Sequence, residues 1–176
     1  MVNEHEKMLR ALEIAIEMEA DSKECYLGAI KASENSLARE LLQSFAEEED
    51  IHRHKVVEIY NAVHANKTWP ITDPKPSSGK KLKELLGKTC RAIGIDAAAN
   101  ATPIHILDIA IDKEDKSHDF YGGKASQSTF ESERSFYNAL ALEEREHYLI
   151  LVDYKEFLED PAGWFTKHEH WSLDGA

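Results

Sequence analysis

Apolar residues recur at helical spacing along four long stretches of the chain. The stretches cover about residues 4–33, 36–66, 103–121 and 129–159, and none has a proline in its interior. Residues three and four positions apart lie on one face of an α-helix, so each stretch predicts an amphipathic helix. The pattern therefore predicts an all-α fold.

Capping residues and helix breakers mark the predicted boundaries. The helix starts are indicated by three pairs with capping spacing: Asn3 with Glu6, Ser128 with Glu131, and Thr102 with Pro103. The stops are indicated by helix breakers: Gly122-Gly123 for the third helix and Asp160-Pro161 for the fourth.

The segment 67–101 is too long for a hairpin loop between the second and third helices. It can run back along a helix of about 31 residues, which measures roughly 46 Å, and the apolar residues from Leu82 to Ile93 predict one short helix within it. The arrangement predicts a four-helix bundle of two helical hairpins joined by a crossover. Residues 1–176 are predicted to form one domain, with a tail over 160–176 that shows no convincing fifth helix.

An internal repeat relates the two predicted hairpins at an offset of 95 positions. The shift superimposes identical or similar residues without a gap: Leu12 on Leu107, Ile16 on Ile111, Glu19 on Glu114, Ser22 on Ser117, Tyr26 on Tyr121, Glu49 on Glu144 and His52 on His147. A repeat of this kind determines architecture, and here it predicts two copies about a pseudo-two-fold axis.

Each long helix places one glutamate on its apolar face. The four are Glu19, Glu49, Glu114 and Glu144, and two helices add a histidine three residues later, His52 and His147. Four ionised carboxylates in an apolar interior are prohibitive without opposite charge. Two divalent cations would balance them, and two neutral imidazoles would complete an oxygen-rich ligand set that suits iron or manganese better than zinc.

Simpler interpretations exist for several of these residues. A lone Glu-x-x-His is usually an exposed pair, but the chain has only two such matches and both fall on the buried face at the repeat offset. Tyr26 and Tyr121 follow the first-helix and third-helix glutamates by seven residues, which is compatible with core packing or with phenol donors to the carboxylates. Glu48 and Glu143 are predicted to face solvent, and His118 to lie at the surface or the rim.

The charge balance narrows the choice of partners. The chain has 21 Lys and Arg residues against 33 Asp and Glu residues, a net charge of −12, which disfavours nucleic acid and anionic membranes. The N-terminus has no apolar signal-peptide segment, and Cys25 and Cys90 form no C-x-x-C pair. These features predict a cytoplasmic protein.

The set Glu19…Tyr26, Glu49-x-x-His52, Glu114…Tyr121 and Glu144-x-x-His147 resembles the di-iron domain of the rubrerythrins in the ferritin-like superfamily. The resemblance covers about residues 4–159 and implies a ferritin-like bundle with two Fe ions, for which Mn or Zn could substitute. It implies that Glu49 and Glu144 bridge the metals. Glu19 and His52 would complete the ligand set of one iron, and Glu114 and His147 would complete that of the other.

The resemblance also implies a function, with two departures. Full-length rubrerythrins carry a rubredoxin domain with paired C-x-x-C ligands, which this sequence lacks, so electrons would come from a separate rubredoxin-like donor. Many also have an extra glutamate where this chain has Ser117, which argues against a redox-linked exchange of ligands.

The expectation is a homodimeric oxidoreductase that reduces hydrogen peroxide or dioxygen. The alternatives are an iron-binding or storage protein with ferroxidase activity, and a bundle with an idle site that binds a partner. The tail motif His168-Glu169-His170 is only a weak indication of a second metal site.

Overall fold

A computed structural model describes residues 3–71, 74, 76, 79–95 and 102–173, with side chains up to residue 168. The described residues form helices without strands. In chain order the helices are α1 (Glu4–Ala32), α2 (Ser36–Asn66), α3 (Lys80–Ile93), α4 (Ile104–Gln127), α5 (Glu131–Glu159) and α6 (Pro161–Leu173). The all-α bundle and the short crossover helix are confirmed, and no helix in the described part is long and apolar enough to cross a bilayer.

The bundle is built from two helical hairpins. Helix α1 packs along α2 and α4 packs along α5, while α1 and α4 meet across the bundle. Helix α3, in the crossover, packs against both α2 and α5. Long antiparallel helices bury their apolar stripes against each other in this way, so packing rather than intrinsic propensity stabilises them.

The predicted stop at Gly122-Gly123 is wrong, because α4 continues to Gln127. A glycine inside a helix costs about 1 kcal/mol relative to alanine, but α4 buries Tyr121 on one side of the pair and Ala125 on the other. Both side chains belong to one apolar cluster. Burial of the helix face therefore outweighs the local preference of the two glycines.

Of the three predicted helix N-caps, one is confirmed. The Asn3 and Glu6 capping box is present, with the Glu6 amide donating to Asn3 Oδ1 at 2.8 Å. The box predicted for Ser128 and Glu131 is wrong: Phe130 is the N-cap of α5, and the Ser128 hydroxyl donates to the Lys124 carbonyl at the end of α4, at 2.7 Å.

The prediction for Thr102 is also wrong. Pro103 is the N-cap of α4, one residue later than predicted. The Thr102 hydroxyl instead lies 2.8 Å from the Ser33 hydroxyl, at the end of α1, so it joins two helix ends rather than capping one.

The tail differs most from its prediction, since residues 161–173 form α6. Asp160 ends α5 and caps α6, accepting a hydrogen bond from the Gly163 amide at 3.0 Å. Trp164 is buried against Phe157, and its indole N–H donates to Asp153 Oδ1 at 2.6 Å. This anchor folds α6 back onto α5. In the tail motif His168-Glu169-His170, the side chains of Glu169 and His170 lie outside the described residues.

The apolar core is divided into two clusters along the bundle. Phe45 of α2 belongs to one cluster and Val56 of the same helix to the other. Glu49 and His52 lie between them on the same buried stripe. The division leaves a polar layer across the middle of the bundle.

Candidate metal centre

Six ionisable side chains from four helices meet in this polar layer. None is more than 1% exposed: Glu19, Glu49, His52, Glu114, Glu144 and His147. They form two groups of four residues, and in each group one ligand atom from every residue lies within 4.8 Å of the others. The fold thus brings together the six residues that the sequence predicts as metal ligands.

Two carboxylates belong to both groups. Glu49 and Glu144 are shared, whereas Glu19 and His52 complete one group and Glu114 and His147 the other. His52 Nδ1 lies 3.0 Å from Glu144 Oε1, and His147 Nδ1 lies 3.0 Å from Glu49 Oε1. The Nδ1 atom of each histidine therefore lies closest to the shared carboxylate of the opposite hairpin, as expected for two sites about a pseudo-two-fold axis.

The polar atoms at the centre of the cluster are buried and make no well-aligned hydrogen bond among the described residues, although each histidine Nδ1 lies 3.0 Å from a shared carboxylate. They are Glu49 Oε1, His52 Nδ1, Glu114 Oε2, both oxygens of Glu144, and His147 Nδ1. Leaving a buried polar atom unpaired costs about 1–3 kcal/mol, and more if the group is charged. A pair of cations would satisfy these lone pairs together, so the donor set fits two metal ions.

The two tyrosines bind carboxylates across the bundle. The phenol of Tyr26, on α1, donates to Glu114 Oε1 on α4, and the phenol of Tyr121, on α4, donates to Glu19 Oε1 on α1. Both rings are buried. Glu114 and Glu19 each belong to only one of the two groups of ligand atoms. The hydrogen bond from a phenol to one oxygen of each carboxylate restrains the orientation of that carboxylate.

Glu48 and Glu143, predicted to face solvent, instead bind the outer nitrogens of the two histidines. Glu143 Oε2 lies 2.6 Å from His52 Nε2, and Glu48 Oε2 lies 3.1 Å from His147 Nε2. Glu143 is 3% exposed, and the Glu48 side chain is 17% exposed. A carboxylate on the outer nitrogen of a histidine holds the proton there and directs the other nitrogen to a metal.

The sequence contained a signal for this pair. Glu48 and Glu143 are related by the same offset of 95 as the ligand glutamates that follow them. The environments of the two carboxylates nevertheless differ. Lys55 Nζ lies 3.4 Å from Glu143 Oε1 and places a positive charge beside Glu143.

Two other residues play no part in the cluster. His118 is half-buried and its Nδ1 lies 2.9 Å from the Ala141 carbonyl, which agrees with its predicted place at the rim. Cys25 is half-buried, and burial raises the pKa of its thiol, so the thiol stays protonated.

The electrostatics of the layer favour protons when no cation is bound. Burial and the neighbouring carboxylate of Glu114 raise the pKa of Glu49 to about 8. Burial, Glu49 and Glu19 raise the pKa of Glu144. Burial alone would lower the pKa of His52, but Glu144 and Glu143 raise it well above its usual value. The metal-free cluster therefore retains protons that bound cations would displace.

These shifts give metal-free and metal-loaded protein opposite responses to pH. A group whose pKa is raised by folding stabilises the protein below its unfolded pKa and loses that contribution as pH rises towards its folded pKa. For Glu49 the loss falls between pH 4.5 and about pH 8, with a slope of at most about 1.4 kcal/mol per pH unit. The metal-loaded protein needs deprotonated ligands, so its stability rises over the same pH range.

We expect the difference in melting temperature between Mn(II)-loaded and chelator-treated protein to widen from pH 5.5 to pH 8. Thermal unfolding followed by circular dichroism measures both forms in the same buffers. Parallel melting temperatures over this range would show that the buried carboxylates are not the metal-binding groups.

Comparison with known proteins places these residues within a matched segment. The family model described as Rubrerythrin matches residues 10–155, which include all six side chains of the cluster and both tyrosines. No curated protein and no solved structure matches the chain.

Proposed function

Because this chain belongs to the rubrerythrin family, we propose that it is a non-haem di-iron oxidoreductase that reduces hydrogen peroxide. The observation that carries the proposal is the pair of shared carboxylates, Glu49 and Glu144, at the centre of the buried layer. Oxygen donors outnumber nitrogen donors here, which suits iron.

The proposed ligand assignment follows the two groups of atoms. Glu19 and His52 would hold one iron, Glu114 and His147 would hold the other, and Glu49 and Glu144 would bridge them. Two ferrous ions supply the two electrons that reduction of the peroxide O–O bond requires. Mn(II) and Zn(II) are expected to bind to the same ligand atoms, and Zn(II) would supply no electrons.

The surrounding side chains prepare the site for this chemistry. The phenols of Tyr26 and Tyr121 donate hydrogen bonds to Glu114 Oε1 and Glu19 Oε1. Glu48 and Glu143 fix both imidazoles through Nε2. The apolar clusters on both sides exclude water, which strengthens every interaction within the layer. A small uncharged oxidant such as hydrogen peroxide suits a site buried this deeply.

Stopped-flow oxidation of the di-ferrous protein tests the proposal. We expect hydrogen peroxide to oxidise both ferrous ions, one peroxide consumed for each iron pair, and dioxygen to react more slowly. A protein loaded with Zn(II), which fills the site without redox chemistry, is the matched control. If neither oxidant oxidises the ferrous protein, the proposal is wrong.

Iron storage with ferroxidase activity is the second candidate, and α6 is the observation that favours it. The tail was predicted to lack the fifth helix that would argue for a storage cage, and that argument fails because α6 is present. Light-scattering mass separates the two functions: a shell of many subunits, with dioxygen as the faster oxidant, supports storage. The oxidoreductase is expected to be a homodimer that receives electrons from a rubredoxin-like protein.

A further inference from the structure

A line of aromatic rings leads from the metal centre to the crossover segment. Tyr121 donates its phenol proton to Glu19, and its ring stacks on Tyr137 with 6.1 Å between the ring centroids. Tyr137 in turn contacts Trp69 at 5.4 Å. All three side chains are nearly or fully buried, Trp69 being 5% exposed in the segment that follows α2.

In the part of the chain that the structure describes, the other half of the repeat has no such line of aromatic rings. The ring of Tyr26 stacks on Phe45 with the centroids 5.0 Å apart. The residue 95 positions before Tyr137 is Leu42. Phenylalanine and leucine cannot be oxidised under conditions that oxidise tyrosine or tryptophan, so an oxidising equivalent on Tyr26 has no onward acceptor among the ring contacts of the described residues.

We propose that Tyr121, Tyr137 and Trp69 form a relay that carries a one-electron oxidising equivalent away from the metal centre. The inference rests on the proposed function, because it assumes that peroxide is reduced at the cluster. Reduction of hydrogen peroxide to two waters takes two electrons and two protons. When only one ferrous ion is bound, the iron supplies one electron and the protein must supply the other.

The relay accounts for that second electron. Tyr121 gives up an electron, and its phenol proton passes to Glu19 Oε1, which already accepts its hydrogen bond. Trp69 then gives an electron to Tyr121, which recovers its proton from Glu19. Trp69 is left as an indole radical cation that keeps its proton, because its Nε1 is buried without a hydrogen-bond partner among the described residues. A thiol or ascorbate restores Trp69 by giving it one electron, and the proton of the reductant is released to solvent.

Tyr137 acts as the bridge rather than a resting place for the oxidising equivalent. Its hydroxyl is buried and has no hydrogen-bond partner among the described residues. Oxidation of a phenol requires an acceptor for its proton, which Tyr137 lacks, whereas its ring contacts both of the other two. The indole of Trp69 also lacks a hydrogen-bond partner for its N–H, but it can lose an electron without losing that proton, so the oxidising equivalent comes to rest on Trp69.

Trp164 is a natural internal control for this proposal. It is 5% exposed, as is Trp69, so an oxidant diffusing through solution would reach both to a similar extent. Its ring contacts are with Phe157, Phe165 and His168. No tyrosine links it to the metal ligands among these contacts of the described residues.

The test loads the protein with one equivalent of Fe(II), adds hydrogen peroxide, and measures oxidation of the two tryptophans by peptide mass spectrometry. We expect Trp69 to be oxidised about tenfold more than Trp164, and Tyr121→Phe to lower Trp69 oxidation to the level of Trp164, a change of about 1.4 kcal/mol in the barrier. Tyr26→Phe, the matched variant in the other half of the repeat, is expected to leave the ratio high.

Freeze-quench electron paramagnetic resonance gives an independent readout. In Trp69→Phe the relay loses its end, so a tyrosyl signal should persist longer than in the unaltered protein and disappear when Tyr121→Phe is added. Equal oxidation of Trp69 and Trp164, no effect of Tyr121→Phe, or damage confined to the ligand residues would each overturn the relay.

The half-loaded protein produces one-electron oxidation whether or not the fully loaded protein turns over. Failure of the relay and failure of the proposed function are therefore distinguishable. Circular dichroism and iron content show in each variant that the bundle and its site are intact.

Discussion

Replacing Glu144 by glutamine is expected to abolish binding of the metal pair. Glu144 belongs to both groups of ligand atoms, and both of its oxygens are buried without hydrogen-bond partners among the described residues. An amide has the same shape but carries no charge and offers one oxygen in place of two. The variant therefore removes a ligand from both sites while leaving the packing of α5 unchanged.

The loss should also appear in thermal stability. At a free metal concentration 1,000 times the dissociation constant, binding stabilises a folded protein by about 4 kcal/mol. For a chain of this size each kcal/mol corresponds to roughly 2–4 °C in melting temperature. We expect metal to raise the melting temperature of the unaltered protein by about 10 °C and that of Glu144→Gln very little.

The metal-free form of this variant should show the opposite change. Glutamine is neutral without taking up a proton, whereas the raised pKa of Glu144 costs the unaltered protein stability as pH rises, so metal-free Glu144→Gln is expected to melt above the metal-free unaltered protein at pH 8. Elemental analysis and thermal unfolding measure both effects. Glu17→Gln, on the exposed face of α1, is the matched control. Equal iron in all three proteins would mean that iron binds elsewhere.

The second large effect is expected from the carboxylates that hold the histidines. Truncating Glu143 to alanine leaves His52 Nε2 without its acceptor, and such changes typically cost about 10–100-fold in metal affinity. Glu143→Gln retains an acceptor oxygen and should recover part of the loss. Because Glu143 is closer to its histidine and better buried than Glu48, we expect Glu143→Ala to weaken binding more than Glu48→Ala.

Competition with a chelator of known affinity measures these differences. Glu47→Ala is the control, since Glu47 is exposed and lies next to Glu48 on the same turn of α2. A role limited to packing predicts that Glu143→Gln and Glu143→Ala lower stability without changing relative affinity for metal. That outcome would contradict the positioning role.

The two halves of the centre are similar in their ligands and different in their surroundings. Lys55 lies over Glu143, whereas Glu48 is more open to solvent. Tyr121 continues to Tyr137 and Trp69, whereas Tyr26 ends at Phe45. The repeat therefore conserves the chemistry of the centre but gives each side a distinct connection to the rest of the protein.

The sequence by itself determined the bundle and the six converging side chains. A buried glutamate on each of four apolar stripes, repeated at a fixed offset, has few physical solutions, because the period of a helix decides which residues face inward. Burial of uncompensated charge then requires protons or cations.

Only the tertiary structure decided the roles of residues beside those stripes. Glu48 and Glu143 lie one position from the seam, so whether they reach solvent or a histidine depends on the separation and rotation of α2 and α5, which no local pattern encodes. The same reason applies to α4, which passes through Gly122-Gly123, and to α6, which is held by Trp164. Their stability comes from contacts between residues distant in the chain, and such contacts exist only once the helices have packed.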